Sequence, residues 1–194
     1  KKIDTIDEIV LGISEGSDNL PFTDYANEEN LEFITGDEID VLSRLILCGE
    51  MSGATDIFRL TSESPFPYYE MVESLWKEHC ENNNDATFLE EIIDGCGFEI
   101  NKLEALKESH KKGQKRHRSE LCTLYLRENA ENFKIQRLLP PEELIRKDIR
   151  LTVDYPEDLI VCRAVYEKFK DKAPLFPLMD VVRYLDENNN LKKI

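Results

Sequence analysis

The chain has 194 residues, of which 41% are hydrophobic and 34% charged, and its formal net charge is −15. That composition describes a globular chain with a core of its own and not a disordered one. The acidic balance excludes a long nucleic-acid surface, which needs a basic face, and no apolar run approaches the roughly 20 residues of a membrane span. A small anion can still be held by backbone N–H groups and a few local cations.

The amino end has no signal-peptide core. Five cysteines (Cys48, Cys80, Cys96, Cys122, Cys162) are odd in number, scattered and free of any CxxC pair. They predict reduced thiols in a cytoplasmic protein. A first residue of Lys in place of Met implies an incomplete sequence.

In chain order, residues 8–13 form a short apolar run that predicts a buried strand, and 21–30 a short helix. Residues 31–34 predict a second strand, closed by Gly36, with Asp37 as the cap of the next helix. Apolar positions at 39, 42, 45 and 46 give that helix a broad apolar face, with Gly49 and Gly53 at its exit. Residues 56–60 predict a third strand, 61–67 a loop with two prolines, and 68–81 a helix. Residues 86–93 predict a strand or irregular edge, 98–100 a short strand, and 102–109 a helix.

The run 111–118 then carries six basic residues in eight, five Lys or Arg and His117, with no apolar anchor. It reads as a solvated mobile loop or as a phosphate-contacting one. A helix over 119–129 with Ser119 as cap, an alternating strand over 133–138 and a turn at 140–146 follow. Arg150, Leu151, Thr152 and Val153 predict a strand that turns at once into a helix over 156–170, with Asp154 near its start. A last amphipathic helix spans 177–187. Strands alternating with helices at this rhythm predict a single α/β domain over 1–194, three-layered, with a mostly parallel sheet. In such folds ligands gather at the carboxyl ends of strands.

Two stretches carry a family resemblance. Residues 120–133, followed by 149–158 with its Leu-Thr-Val-Asp-Tyr-Pro-Glu-Asp core, resemble the spore-coat-polysaccharide type cytidylyltransferases, relatives of the acylneuraminate and KDO cytidylyltransferases. Residues 6–10 are similar to that family's second strand, and Asp40-Val-Leu-Ser-Arg44 to its Asp-Val-Leu-x-Arg helix. The resemblance runs in order over nearly the whole chain. It implies a nucleotide-diphospho-sugar transferase-like, Rossmann-like α/β/α fold and transfer of CMP from CTP to a sugar or sugar acid, with Mg²⁺. It places Ser14, Glu15 and Arg44 on the nucleotide and Glu63 and Glu99 on the metal, and sets the 111–118 loop near the anionic ligands. Relatives often dimerise through the segment matching 91–118, so a homodimer is expected.

The departures from the family bear on catalysis. The family opens with a strand and an Arg-, Lys- and Pro-bearing loop that cradles the triphosphate. This chain starts where the second strand is expected, so a unit of roughly 35 residues is missing, the scale of a βα unit. Little or no catalysis by the chain alone is the expectation. The family's metal-linked Asp positions become Glu63, in the segment 61–65, and Gly97, which has no side chain to offer. A second class of reading therefore stands: a non-catalytic member that binds a nucleotide sugar or a partner protein. A metal-dependent glycosyltransferase is a third, lowered by the lack of an Asp-x-Asp after the third strand.

From the residues alone, Glu63 also reads as a solvated loop side chain, Glu99 as a strand-edge one, and Arg150 as half of a structural ion pair. His79, His110 and His117 lack metal spacing, with His79 and His110 reading as surface or helix-end residues. Phe66, Tyr68, Tyr69 and Trp76 read as core side chains.

Overall fold

A computed structural model describes residues 3–194. Six strands alternate with helices: β1 (Val10–Ser14), α1 (Leu20–Glu28), β2 (Glu32–Gly36), α2 (Val41–Ser52), β3 (Asp56–Arg59), α3 (Val72–Glu81), β4 (Ala86–Leu89), β5 (Glu99–Lys102), α4 (Leu103–Lys112), α5 (Leu124–Glu128), β6 (Ile135–Leu138), α6 (Pro156–Phe169), α7 (Leu178–Glu187) and α8 (Asn189–Lys192). The expected α/β class is what this order delivers.

The strands form a parallel pair, β1-β2, and a four-stranded sheet in the order β3-β5-β4-β6. Leu89 N–H donates to the Phe98 carbonyl (3.3 Å) and Lys102 N–H to that of Asp85 (3.0 Å), so β5 runs antiparallel to β4. Asp85 N–H donates to Lys134 and Glu90 N–H to Leu138, so β6 runs parallel to β4. β4, expected as a strand or an irregular edge, is an inner strand with all four residues buried.

The chain divides into two compact units. The first comprises Lys1–Phe58, His79–Ala86 and Ile100–Ile135; the second comprises Arg59–Glu78, Thr87–Glu99 and Gln136–Ile194.

In the first unit α2 packs on β1, β2 and α4. Its cap is Asp40, whose side chain accepts the Ser43 N–H at 2.9 Å. Asp37, the expected cap, instead accepts the N–H groups of Ile39 and Asp40 (2.8 Å each) and turns the chain into the cap. Gly53 ends the helix in the left-handed region (φ 64°). Gly49 lies inside the helix and not at its exit: a Cβ there would meet Ile57 Cδ1 at 2.8 Å, so its absence lets α2 close on β3. α5 is shorter than expected and starts after Thr123, whose side chain makes no cap hydrogen bond, while Ser119 ends the preceding 3-10 turn.

The core of the second unit gathers Phe66, Ile93, Leu144 and Leu151 with Val161, Cys162 and Val165 of α6 and Leu178, Val181, Val182 and Leu185 of α7. The α7 residues recur at the spacing of one helical face. Each buried side chain of this size contributes roughly 1.5–3 kcal/mol. Phe66 stands edge-on to Phe176 (5.1 Å), and Tyr68 packs against the same cluster, as core side chains.

The expected strand over 150–153 does not form. Only one bridge links Asp94 and Arg150, and the ladder goes no further. Leu151 N–H donates to Asp94 O (2.8 Å) and Val153 N–H to Glu63 O (2.8 Å). The β-branched composition is that of a half-buried extended segment, and Leu151 and Thr152 are indeed buried. Asp154 does not cap α6 either. Asp158 accepts the N–H groups of Asp154 and Tyr155 (3.0 Å each), reaching back from the first turn.

Candidate functional site

In the first unit, β1 ends at Ser14, and the chain must turn sharply into α1. Gly16 supplies that turn at φ 126°, where an L side chain is strained. Glu15 N–H donates to Gly36 O at 2.9 Å and ties the exits of the two parallel strands together. A cleft of about 160 Å³ opens there, with Ser14, Glu15, Gly16, Asn19, Thr23 and Thr35 in its lining. Ile13 and Leu20 complete a lining that is more apolar than polar, and the Ser14 and Thr23 hydroxyls and the Asn19 amide already donate to backbone carbonyls, so the Glu15 carboxylate is its charged group, at the carboxyl ends of parallel strands.

Arg44 reaches the same strand ends from α2 but is not part of the cleft lining. Gly36 makes room for it: a Cβ there would lie 3.0 Å from Arg44 Cγ. Its Nη1 donates to the carbonyls of Asp37 and Glu38 (3.1 Å to the latter), while its Nε is buried without a partner. Arg44 thus braces the β2–α2 turn and keeps one donor unspent.

Asp40 joins three elements. Besides capping α2, its Oδ2 lies 2.8 Å from His110 Nε2 at the end of α4 and 3.7 Å from Arg118. Sequence reading took His110 for a surface or helix-end residue; it is at the helix end and is engaged there. His79, read the same way, is buried, with Nε2 at 3.0 Å from Asp56 Oδ1. Burial raises the Asp56 carboxyl, but the hydrogen bonds from His79 and Thr55 outweigh it and leave the carboxyl below its ordinary range. No local pattern around positions 56 and 79 announces that pair.

The run 111–118 is neither free of an anchor nor a bare loop. Lys115–Arg118 make a 3-10 turn, His117 is buried, and the cations find carboxylates. Lys112 pairs with Glu108 (2.6 Å), Arg116 with Glu128 (2.6 Å) and Arg118 with Asp40. Arg116, then His117, hold the Glu128 carboxyl down at about 2.

In the second unit, the Glu63 carbonyl accepts Val153 N–H (2.8 Å) and the Thr152 hydroxyl (3.3 Å), which fixes the loop after β3. Glu99 stands 3.6 Å from Arg59. Among the described residues, no group of three or more His, Cys, Asp or Glu side chains is placed to hold a metal ion. Mg²⁺ demands near-octahedral oxygen ligation but commonly takes only one or two carboxylates, with phosphates and water completing the set. Glu63 fits such a role. Glu99 fits it only by giving up Arg59, and Gly97 offers nothing.

Arg150 is the centre of a carboxylate cluster, as its ion-pair reading implied: Asp94 at 2.7 Å, Asp158 at 3.1 Å, and Asp154. All five cysteines are free. Burial pushes the Cys48 and Cys162 thiols up to about 11 each, so they stay protonated and are poor nucleophiles. Among the described residues no helix is long and apolar enough to cross a membrane.

Comparison with known proteins narrows the class. No family model matches the sequence. The chain is 27% identical over 194 residues to the uncharacterized protein MJ1063 of Methanocaldococcus jannaschii, covering all of this chain and 79% of that protein. It is 25% identical over 191 residues to the spore coat polysaccharide biosynthesis protein SpsF of Bacillus subtilis (strain 168), covering 94% of this chain and 76% of SpsF. A solved cytidylyltransferase from Leptospira borgpetersenii serovar Hardjo-bovis (strain JB197) superposes with a TM-score of 0.83 at 18% identity, over 93% of this chain and 76% of that one. The superposition shows a shared fold. The chain is thus similar in sequence to SpsF and in fold to that cytidylyltransferase.

Proposed function

We propose that this chain belongs to a transferase of polysaccharide synthesis that moves CMP from CTP to a sugar or sugar acid and releases pyrophosphate. The observation that carries the reading is the fold it shares with a cytidylyltransferase over 93% of its length. The name of the B. subtilis relative supplies the polysaccharide setting, and a cytoplasmic location follows from the nucleotide substrate. In this reading Ser14 and Glu15 receive the nucleotide in the cleft at the end of β1. Arg44, at the same strand ends, draws anionic oxygens toward them through its charge. Mg²⁺, arriving with the triphosphate, would be held by Glu63 and would neutralise charge on the phosphates. The chain's own residues supply position and charge, which suits in-line attack on a phosphorus centre.

One observation favours a second reading, a nucleotide-sugar- or partner-binding member without catalysis. Arg59 stands against Glu99, where the family resemblance puts a metal ligand.

The test is pyrophosphate release from CTP with Mg²⁺ and a panel of sugar acids, run beside calorimetry with CTP, CMP and CMP-sugars. Metal-dependent CTP binding with pyrophosphate release supports transfer. Since little catalysis is expected of the chain alone, metal dependence discriminates where no pyrophosphate is released: metal-dependent CTP binding still supports the transferase lineage, and metal-independent binding of CMP-sugars favours the second reading. No nucleotide binding at all sinks the transferase reading.

A further inference from the structure

The basic run 111–118 is anchored by His117, and both nitrogens of that ring are committed. Nδ1 lies 2.7 Å from the backbone nitrogen of Gln114. A backbone amide always donates, so Nδ1 accepts and carries no proton. The ring's one hydrogen is then on Nε2, which donates to Glu128 at 2.9 Å. The ring is buried and stands edge-on to Tyr125 at 5.3 Å, and Gly113 leaves it room, since a Cβ there would lie 3.1 Å from Nδ1.

We propose that His117 is a pH-sensitive latch: its neutral Nε2–H tautomer holds the turn 114–118 closed, and a proton on Nδ1 opens it. Protonation sets an N–H against the Gln114 N–H, two donors with no acceptor between them. With Nε2 held by Glu128, the ring cannot turn Nδ1 away without losing that bond, so the turn gives way. A proton is taken up on opening, so falling pH favours the open form.

The charged groups around the ring do not replace it in this role. From α5, Glu128 stays ionised throughout the histidine range, since Arg116 and His117 hold it at about 2, and Tyr125 offers its ring. Arg116, beside His117, shares Glu128 and is always charged. On α4, Lys112 is paired with Glu108. His110 of α4 can donate its Nε2–H to Asp40 whether or not the ring gains a second proton, so its protonation opposes nothing. Arg118, the next residue, is held by Asp40 of α2 and by the His110 carbonyl. The run therefore has two states: one with Lys112, Arg116 and Arg118 paired and the turn closed, and one in which that turn is loosened.

The experiment uses the full chain, with ¹⁵N NMR of the His117 ring and amide exchange at Gln114 between about pH 8 and pH 5, bracketing the ordinary histidine range. At the upper end Nδ1 is expected to be unprotonated and Nε2 protonated. Protection of the Gln114 amide, corrected for intrinsic exchange, should fall roughly tenfold or more as His117 titrates. A proton on Nδ1 at the upper end, or protection that ignores the titration, would overturn the latch. His117→Gln can accept from Gln114 and donate to Glu128 without titrating, so its protection should not respond to pH. If that variant loses protection on acidification as the natural chain does, the latch is also overturned. If it fails to fold, the measurement on the natural chain decides alone.

Discussion

Arg150 and Asp158 meet at 3.1 Å, and through that contact an ion pair and a helix cap become one device. Asp158 accepts the Asp154 and Tyr155 N–H groups while Arg150 Nε donates to its other oxygen. Asp158→Ala removes both functions at once. The thermal midpoint is expected to fall by a few degrees, about what loss of a helix cap costs a domain of this size. Asp158→Glu, one methylene longer, should recover little of it. An unchanged midpoint for the alanine variant, measured by circular dichroism, would remove the cap from the account.

The same carboxylate sets an acid limit. The Asp154 amide, then Tyr155 and Arg150, hold the Asp158 carboxyl below its ordinary range. Arg146 does the same to Asp148 and Asp186, which also accept from Lys192. A carboxyl depressed in the folded state contributes stability that is present above its unfolded value, about 4, and lost as pH falls through the folded one. Stability should therefore fall steeply below about pH 4. Arg146→Met, which leaves Asp148 and Asp186 with Lys192 alone, should flatten that fall in urea titrations.

Two glycines separate backbone strain from side-chain crowding. Gly95 has φ 84°, and a Cβ there would lie 2.5 Å from the Leu151 carbonyl carbon and oxygen, which cannot move aside. Gly95→Ala is expected to cost about 2 kcal/mol or more, from strain and displacement of the 94–151 contact together. At Gly49 a Cβ meets the far ends of Ile57 and Leu103, which can shift. The gain in helix propensity offsets that shift, so Gly49→Ala should be near neutral. Denaturant midpoints should rank the two in that order.

Asn101 is fully buried on β5, and neither amide atom has a hydrogen-bond partner in the protein. An unmet polar group of this kind costs about 1–3 kcal/mol. Asn101→Leu should therefore raise stability by about 1 kcal/mol or more. A loss on substitution would mean that a bound water or ligand serves the amide.

Arg59 and Arg44 bear on the proposed reaction from opposite sides. Arg59→Met leaves Glu99 without its cation, so Mg²⁺ affinity in calorimetry should rise if Glu99 is a ligand. Arg44→Met keeps the stem that packs on Gly36 and removes the charge. CTP binding should weaken by about tenfold or more, roughly 1.4 kcal/mol. Equal CTP affinity in that variant would take Arg44 out of the nucleotide site.

The sequence by itself determined the alternation of strands and helices, the approximate positions of five of the six strands seen among the described residues, with β4 left open as a strand or an irregular edge, and the family likeness carried by residues 120–133 and 149–158. These rest on local periodicity and turn chemistry, which act over a few residues. It did not decide which polar residue caps a helix. Asp37, Asp154 and Ser119 are all sound caps in isolation, but Asp40 and Asp158 take two of those helix ends and α5 starts after Thr123 without a side-chain cap, because the tertiary path decides which backbone N–H groups are left unpaired. Nor could it tell that 150–153 finds one bridge in place of a ladder, since pairing depends on a neighbour more than fifty residues away in sequence. The partners of the histidines belong to the same class. Asp56 with His79, Asp40 with His110, and Glu128 with His117 are long-range pairs that no spacing encodes. The basic run shows the division most sharply. Its charge is plain in the sequence, but whether those cations are solvated, ligand-bound or latched to carboxylates depends on what the fold sets beside them.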